Sequence, residues 1–97
     1  MMYQDAVFAQ NVLLLRRAYA MSQEALCRKI RRRGVPMSKS LVSKGENLER
    51  VFSLDEKLAI ADAMGASVDV LHSESFAEHI GEQIDYRLRY QARTANN

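Results

Sequence analysis

The residues between Ser22 and Glu46 have an order of polar and basic side chains that suits contact with a polyanion. A short stretch with apolar spacing follows Ser22, then an arginine-rich break, then Ser-Lys-Ser-Leu-Val-Ser-Lys-Gly-Glu. The spacing predicts two short helices joined by a turn, of which the second is small, polar and basic on its outward face. Short side chains allow close approach to a duplex, and lysine donates to phosphates and guanine edges. The pattern is typical of a helix that enters the DNA major groove.

Four side chains of the second helix are candidates for reading bases. Lys39 and Ser40 lie at its start, and Ser43 and Lys44 lie one turn further on, so all four can share the outward face. Lysine can donate to guanine O6 and N7, and serine can donate or accept. The alternative interpretation is a polar helix that is merely solvated.

Basic side chains near the break are expected to neutralise backbone phosphates. Long side chains can do this without reading sequence. These residues are Arg28, Lys29, Arg31, Arg32 and Arg33. We expect Ser38, at the start of the second helix, to contact the backbone as well. The alternative is that the basic run is only a solvated surface.

An all-helical bundle is predicted to position these side chains. Phe8, Val12, Leu15 and Tyr19 fall on one face of a first helix over about residues 5–19. Serine, a favoured N-cap residue, precedes each of the next four helices. These caps are Ser22, Ser38, Ser53 and Ser67.

The fourth helix is expected to begin with a capping box formed by Ser53 and Glu56. The spacing of Leu54, Leu58, Ala61 and Met64 places these four residues on one apolar face. Gly65 suits the C-terminal turn of this helix.

A sixth helix is expected from Ser75 onward, with Phe76, Ile80, Ile84 and Leu88 at four-residue spacing. This apolar stripe exceeds what a bundle of about 70 residues needs for its own core. We therefore expect the stripe to pair two subunits. The alternative is that the sixth helix folds back on the bundle.

Charge is unevenly distributed although the net charge is only +2. Residues 1–50 contain ten Lys and Arg against four Asp and Glu. Residues 51–97 contain four Lys and Arg against eight Asp and Glu. A basic half attracts a polyanion and an acidic half stays away from it. Taken alone, the asymmetry favours a nucleic-acid partner.

Several other classes of protein are disfavoured. The longest apolar run is short, no signal peptide is recognisable, and the lone Cys27 fits a reducing cytoplasm. His72 and His79 have no nearby cysteine, so we expect no metal site. Without a Gly-rich phosphate loop or a nucleophile grouping, we expect neither an enzyme nor a cofactor.

Taken together, the motifs resemble the phage-repressor/Cro type of helix-turn-helix domain, the XRE family. Residues 22–26 resemble the start of its second helix, residues 38–44 its recognition helix, and residues 53–71 its fourth and fifth helices. Glu46 falls where the family often has an acidic residue. The resemblance covers roughly residues 8–72 and implies a five-helix lambda-repressor-like bundle, here with an extra C-terminal helix.

The resemblance also implies roles for single residues. Gln23 would bind a phosphate through its amide, and Asn47 would contact the DNA backbone. Arg16 and Glu46 would form a salt bridge that fixes the recognition helix against the first helix. The alternative for this last pair is two unrelated surface charges.

Two features depart from the family pattern. The break between the second and third helices is about three or four residues longer than a tight helix-turn-helix turn. Gly45 replaces a large apolar residue, so we expect the second half of the recognition helix to be short or bent.

The sequence thus predicts a helix-turn-helix DNA-binding domain over residues 1–74 and a dimerisation helix with a frayed tail over residues 75–97. We expect a cytoplasmic repressor that binds double-stranded DNA as a homodimer on a palindrome. The alternative is an antitoxin or other protein-binding module whose C-terminal helix engages a partner protein.

Overall fold

The computed structural model describes residues 2–76 and residue 78, and over this part of the chain it is a bundle of five helices without strands. These helices are α1 (Tyr3–Ala18), α2 (Gln23–Arg31), α3 (Lys39–Glu46), α4 (Leu54–Met64) and α5 (Val68–Leu71). The predicted all-α class is confirmed. Ile80, Ile84 and Leu88 of the expected sixth helix lie outside the described residues.

The serine caps form as predicted because each depends only on residues three positions apart. Ser22 Oγ accepts from Ala25 N at 3.0 Å, and Ser38 Oγ accepts from Leu41 N at 3.1 Å. Ser53 forms the full capping box, and Ser67 caps α5. Each cap satisfies an N–H group that would otherwise have no partner inside its helix.

One apolar core lies between the helices. α2 packs against α3 and α4, and α1 contacts α3, α4 and α5. The side chains at its centre are at most 1% exposed and include Phe8, Val12, Leu15, Leu26, Ile30, Val42, Ile60 and Leu71. The lone thiol, Cys27, is buried among them. Burial of this surface is the main force that holds α3 in place.

The predicted apolar face of α4 is wrong at two positions. Leu54 and Leu58 are 67% and 52% exposed, and the core is filled from α4 by Ala59, Ile60 and Met64. Apolar residues occupy seven of the eleven positions in α4, so their spacing fits more than one face. The outward leucines form a surface that is described below.

Phe76 belongs to the core of its own domain. Its side chain is 1% exposed, which contradicts its expected role on a dimerisation surface. The chain before it is held by Asn11, whose Nδ2 donates to Leu71 O at 2.8 Å and to Ser73 O at 2.9 Å. The packed domain therefore extends beyond the predicted boundary at residue 74.

A charged network ties α1 to α4 and α5. Lys57 Nζ donates to Asp5 Oδ1 at 2.7 Å and lies 3.1 Å from His72 Nε2. His72 Nδ1 lies 3.0 Å from Val68 O, which suits an Nδ1–H donor and leaves Nε2 to accept from the lysine. The hydrogen bond from Lys57 lowers the pKa of Asp5 below its ordinary value of 3.8.

Among the described residues, none of the helices combines the length and the apolar content that crossing a bilayer requires.

Candidate nucleic-acid interface

The outward face of α3 carries the side chains that were predicted to read bases. Lys39, Ser40 and Lys44 are exposed, and Ser43 is half-buried among them. Val42, on the opposite side of the helix, is fully buried in the core. The structure therefore brings the four candidates onto one side of a short helix whose other side is fixed by packing.

The two ends of α3 place further polar groups beside this face. Ser38 is half-buried, and its Oγ is occupied as an acceptor by the cap, although a hydroxyl keeps one hydrogen to donate. Asn47 follows the last turn and is exposed, with Nδ2 3.4 Å from Ser43 Oγ. Both residues therefore place polar groups at the two ends of the outward face of α3.

The predicted salt bridge between Arg16 and Glu46 is confirmed. Arg16 Nε donates to Glu46 Oε2 at 2.7 Å, and Nη2 donates to Oε1 at 3.0 Å. The remaining guanidinium nitrogen, Nη1, donates to Met21 O at 2.9 Å. The side chains are 12% and 2% exposed, so this two-pronged pair lies largely out of water, where such pairs are geometrically specific. It fixes the end of α3 against α1 and the loop before α2.

Gln23 makes a contact that the sequence did not predict. Its Nε2 donates to Glu46 Oε1 at 2.9 Å, and the residue is half-buried. The amide nitrogen has a second N–H, so this hydrogen bond does not exclude the predicted phosphate contact, which stays a prediction. Gln23 also joins the start of α2 to the end of α3, a non-local contact that no local spacing reveals.

The basic side chains on α2 and in the following turn divide between two sides. Arg28 and Arg32 are exposed on the outward side, and exposed Arg31 donates through Nη1 to Met37 O at 3.3 Å. Met37 is buried, so it anchors the long turn between α2 and α3. These arginines remain consistent with contact to phosphates.

Lys29 and Arg33 depart from the prediction because they face α4. The Arg33 guanidinium forms a salt bridge with Asp62, and its Nη1 donates to Lys29 O at 2.8 Å. Lys29 is half-buried and lines a depression together with Asp62 and Gly65. Lys29 lies on α2 and Arg33 lies in the turn that follows it. These contacts on the α4 side argue against the predicted contacts of Lys29 and Arg33 with a DNA backbone.

The turn between α2 and α3 is as long as the sequence predicted. Seven residues, 32–38, separate the two helices, and Gly34 takes a left-handed φ of 80° within them. A left-handed conformation suits glycine because it has no Cβ. The turn reverses the chain while keeping Met37 in the core and Arg32 in solvent.

Gly45 accommodates an aromatic ring rather than bending α3. The helix continues through Gly45 to Glu46, so the expected shortening is wrong. A Cβ at Gly45 would lie 2.1 Å from Phe52 Cζ. The Phe52 ring packs edge-on against the Phe8 ring, with 6.2 Å between the ring centroids. Phe52 thus fills the space that a larger residue at position 45 would occupy.

The segment that contains α2, the turn and α3, which we call the α2–α3 unit, is strongly basic. Residues 22–47 contain seven Lys and Arg and two Asp and Glu. One of the two acids, Glu46, is buried and paired with Arg16. The surface that α2 and α3 present to solvent can therefore attract a phosphate backbone.

No protein-family model matches this chain, and no curated protein and no solved structure is significantly similar to it.

Proposed function

We propose that this protein is a sequence-specific DNA-binding regulator of the phage-repressor/Cro type, and that it acts as a repressor in the cytoplasm. The observation that carries the proposal is the arrangement of α3. A short polar helix exposes Lys39, Ser40 and Lys44, while a buried salt bridge fixes its other side. A packed helix with this surface has the shape and the donors that major-groove reading needs.

In this proposal, α3 enters the major groove and its outward side chains contact base edges. Arg28 and Arg32 bind phosphates on the flanking backbone and release counterions. The Arg16–Glu46–Gln23 network holds α3 at a fixed angle to α2, since three hydrogen bonds converge on one buried carboxylate. Phosphate contacts supply most of the affinity, and the α3 face supplies the sequence preference.

Two copies are needed for useful specificity. A single helix of eight residues touches too few base pairs to select one site in a genome. A two-fold dimer would read a palindrome with half-sites about 34 Å apart. Repression would follow from occlusion of a promoter by the bound dimer.

Selection of bound sequences from a random duplex pool tests this proposal. We expect the enriched sequences to be palindromes whose half-site centres lie about 10 base pairs, one helical turn, apart. Recovery of an unenriched pool after repeated rounds at moderate salt would contradict sequence-specific binding.

The exposed leucines of α4 favour a second candidate, a protein-binding module such as an antitoxin. Leu54 and Leu58 form an apolar surface of the kind that marks protein contacts. Size-exclusion chromatography of the protein alone separates the candidates. A stable dimer without a partner favours the repressor, whereas a monomer that co-purifies with a small neighbouring gene product favours the antitoxin.

A further inference from the structure

Three ionisable side chains from α1, α4 and the end of α5 meet beside one aromatic ring. Lys57 Nζ donates to Asp5 Oδ1 at 2.7 Å, and the same nitrogen lies 3.1 Å from His72 Nε2. The centroid of the Phe8 ring lies 5.3 Å from Lys57 Nζ and 5.0 Å from the centroid of the His72 ring. We call the three ionisable side chains the Asp5–Lys57–His72 network.

The hydrogen bonds of His72 require a neutral imidazole. Nδ1 lies 3.0 Å from Val68 O, which can only accept, so Nδ1 carries the ring hydrogen. Nε2 faces an ammonium group, which can only donate, so Nε2 must offer its lone pair. A second proton on the ring would occupy that lone pair. It would break the hydrogen bond from Lys57 and place two cations 3.1 Å apart.

One carboxylate would then serve two cations. The pKa of Asp5 is lowered by the hydrogen bond from Lys57 and by the charges of Lys57 and His72. The side chains of Lys57 and Asp5 are only 12% and 20% exposed, so water screens the network incompletely. Repulsion between Lys57 and a protonated His72 is therefore stronger here than at an open surface.

Other acidic side chains near His72 do not offset this repulsion. Asp69 lies on α5 and is exposed to solvent. Glu74 is also exposed, and its charge and a hydrogen bond raise the pKa of Tyr3 on α1 above 10.0. Among the described residues, neither carboxylate forms an ion pair with His72.

The position of α5 depends on the contacts around this network. α5 is a single turn of four residues, which is too short to be stable alone. Leu71 is fully buried, and Asn11 Nδ2 donates to Leu71 O at 2.8 Å and to Ser73 O at 2.9 Å. His72 lies between these two residues, and its N–H donates to Val68 O at 3.0 Å. Movement of the imidazole away from the ammonium group therefore shifts the end of α5.

We propose that the Asp5–Lys57–His72 network is a pH-sensitive latch, which holds α5 on α1 and α4 while His72 is neutral and releases α5 when His72 takes up a proton. Release separates the imidazole from the ammonium group, so the released state binds one proton more than the latched state. The latched state is therefore favoured at higher pH, and the released state gains population as the pH falls. The latch is independent of DNA binding.

Hydrogen exchange of backbone amides in the whole 97-residue chain, followed by NMR between about pH 7.5 and about pH 5.5, tests the latch. The N–H groups of Leu71 and His72 are the reporters, because they donate to Ser67 O and Val68 O. Their protection factors are expected to fall about tenfold between about pH 6.5 and about pH 5.5, since release takes up one proton. The Val42 N–H in α3 is the internal reference, and its protection is expected to change much less.

His72→Gln removes the titration and keeps an oxygen that can accept from Lys57. The pH dependence of protection at Leu71 is expected to vanish in this variant. His79→Gln is the matched control, since His79 is the second of the two histidines and lies outside the described residues. The control is expected to keep the pH dependence of the parent.

Lys57→Met separates repulsion by the ammonium group from simple burial of the imidazole. Methionine keeps an unbranched side chain beside Phe8 and removes the charge. A protonated His72 then has Asp5 as a partner without a competing cation. The loss of protection at Leu71 in mild acid is therefore expected to shrink.

Four results would overturn the latch. One is protection at Leu71 that does not change with pH in the parent protein, and another is an equal loss at Leu71 and Val42. The third is a loss of unchanged size in Lys57→Met. The fourth is a pH dependence that persists in His72→Gln, which decides the matter even where Lys57→Met fails to fold.

Discussion

Single side chains on the basic surface differ in what they can contribute to binding. Lys39 and Lys44 project from the outward face of α3, where base edges would lie, whereas Arg28 and Arg32 project from α2 and its following turn. Sequence spacing identified these exposed residues because position on a helix depends on local periodicity. It did not reveal that Lys29 and Arg33 face α4, or that Gln23 contacts Glu46, because these neighbours come from distant parts of the chain.

Lys44→Ala should weaken binding to the selected operator by about 1–3 kcal/mol, because it removes a donor that we propose reads a base. Binding to unrelated duplexes should fall much less. Fluorescence anisotropy titrations on both duplexes measure the difference. Lys29→Ala is the matched control, since it removes the same charge on the side that faces α4.

Arg32→Ala should give the opposite result in the same titrations, a loss of affinity that does not depend on the DNA sequence. A phosphate contact should be lost equally on every sequence, and the salt slope should flatten by about one unit. Equal losses on operator and unrelated duplexes for Lys44→Ala would refute its assignment to base reading.

At the scale of the elements, the orientation of α3 depends on two supports at its second half. One is the buried pair of Arg16 and Glu46, and the other is the Phe52 ring beneath Gly45. The first support was predicted from a resemblance. The second could not be predicted, because only the packed structure shows which ring fills the missing side chain. The outward leucines of α4 escaped prediction for the reason given above, an apolar composition that fits several faces.

Gly45→Ala should destabilise the domain although alanine favours helices. The new methyl group would overlap Phe52, and overpacking costs about 1–3 kcal/mol, against a propensity gain of about 1 kcal/mol. Adding Phe52→Leu should recover part of the loss, since the ring is what the methyl group meets. Urea unfolding of the two single variants and the double variant measures the coupling. If the losses of the two single variants simply add in the double variant, the new methyl group does not meet the Phe52 ring.

Glu46→Ala should lower the free energy of unfolding by about 3–5 kcal/mol, because it leaves the buried guanidinium of Arg16 without its carboxylate. Asp62→Ala is the control: it breaks an ion pair whose carboxylate is largely exposed and should cost less than about 1 kcal/mol. Chemical denaturation gives both values. A similar small loss in the two variants would show that the Arg16–Glu46 pair does not support α3.

At the scale of the domain, and over the residues that the structure describes, basic and acidic side chains are concentrated on different helices. The α2–α3 unit is basic, whereas α4 and α5 expose three aspartates, Asp55, Asp62 and Asp69. The sequence predicted this separation because the two halves of the chain differ in composition. It did not predict that Phe76 completes the core, since apolar spacing cannot distinguish a residue that meets its own domain from one that meets a partner.

The free energy of unfolding should fall at acidic pH, in part because Asp5 becomes protonated. Its pKa is lowered in the folded protein by Lys57, so its stabilising contribution is present above the ordinary value of 3.8 and is lost as pH falls through the folded value. Asp5→Asn removes this titration and should flatten the loss. Urea midpoints between about pH 6 and about pH 3 compare the two proteins. If the urea midpoints of the two proteins fall in parallel with pH, the Asp5–Lys57 contact has no such role.

Binding of the protein to a labelled random duplex at low ionic strength tests the central claim most directly. Four outward cations, Arg28, Arg32, Lys39 and Lys44, predict tight binding that weakens with salt, with a log–log slope of about −3 to −4 per chain. A neutral labelled polymer of similar size should not bind. If the duplex is bound no better than that polymer, the basic surface of α2 and α3 is not a DNA-binding surface.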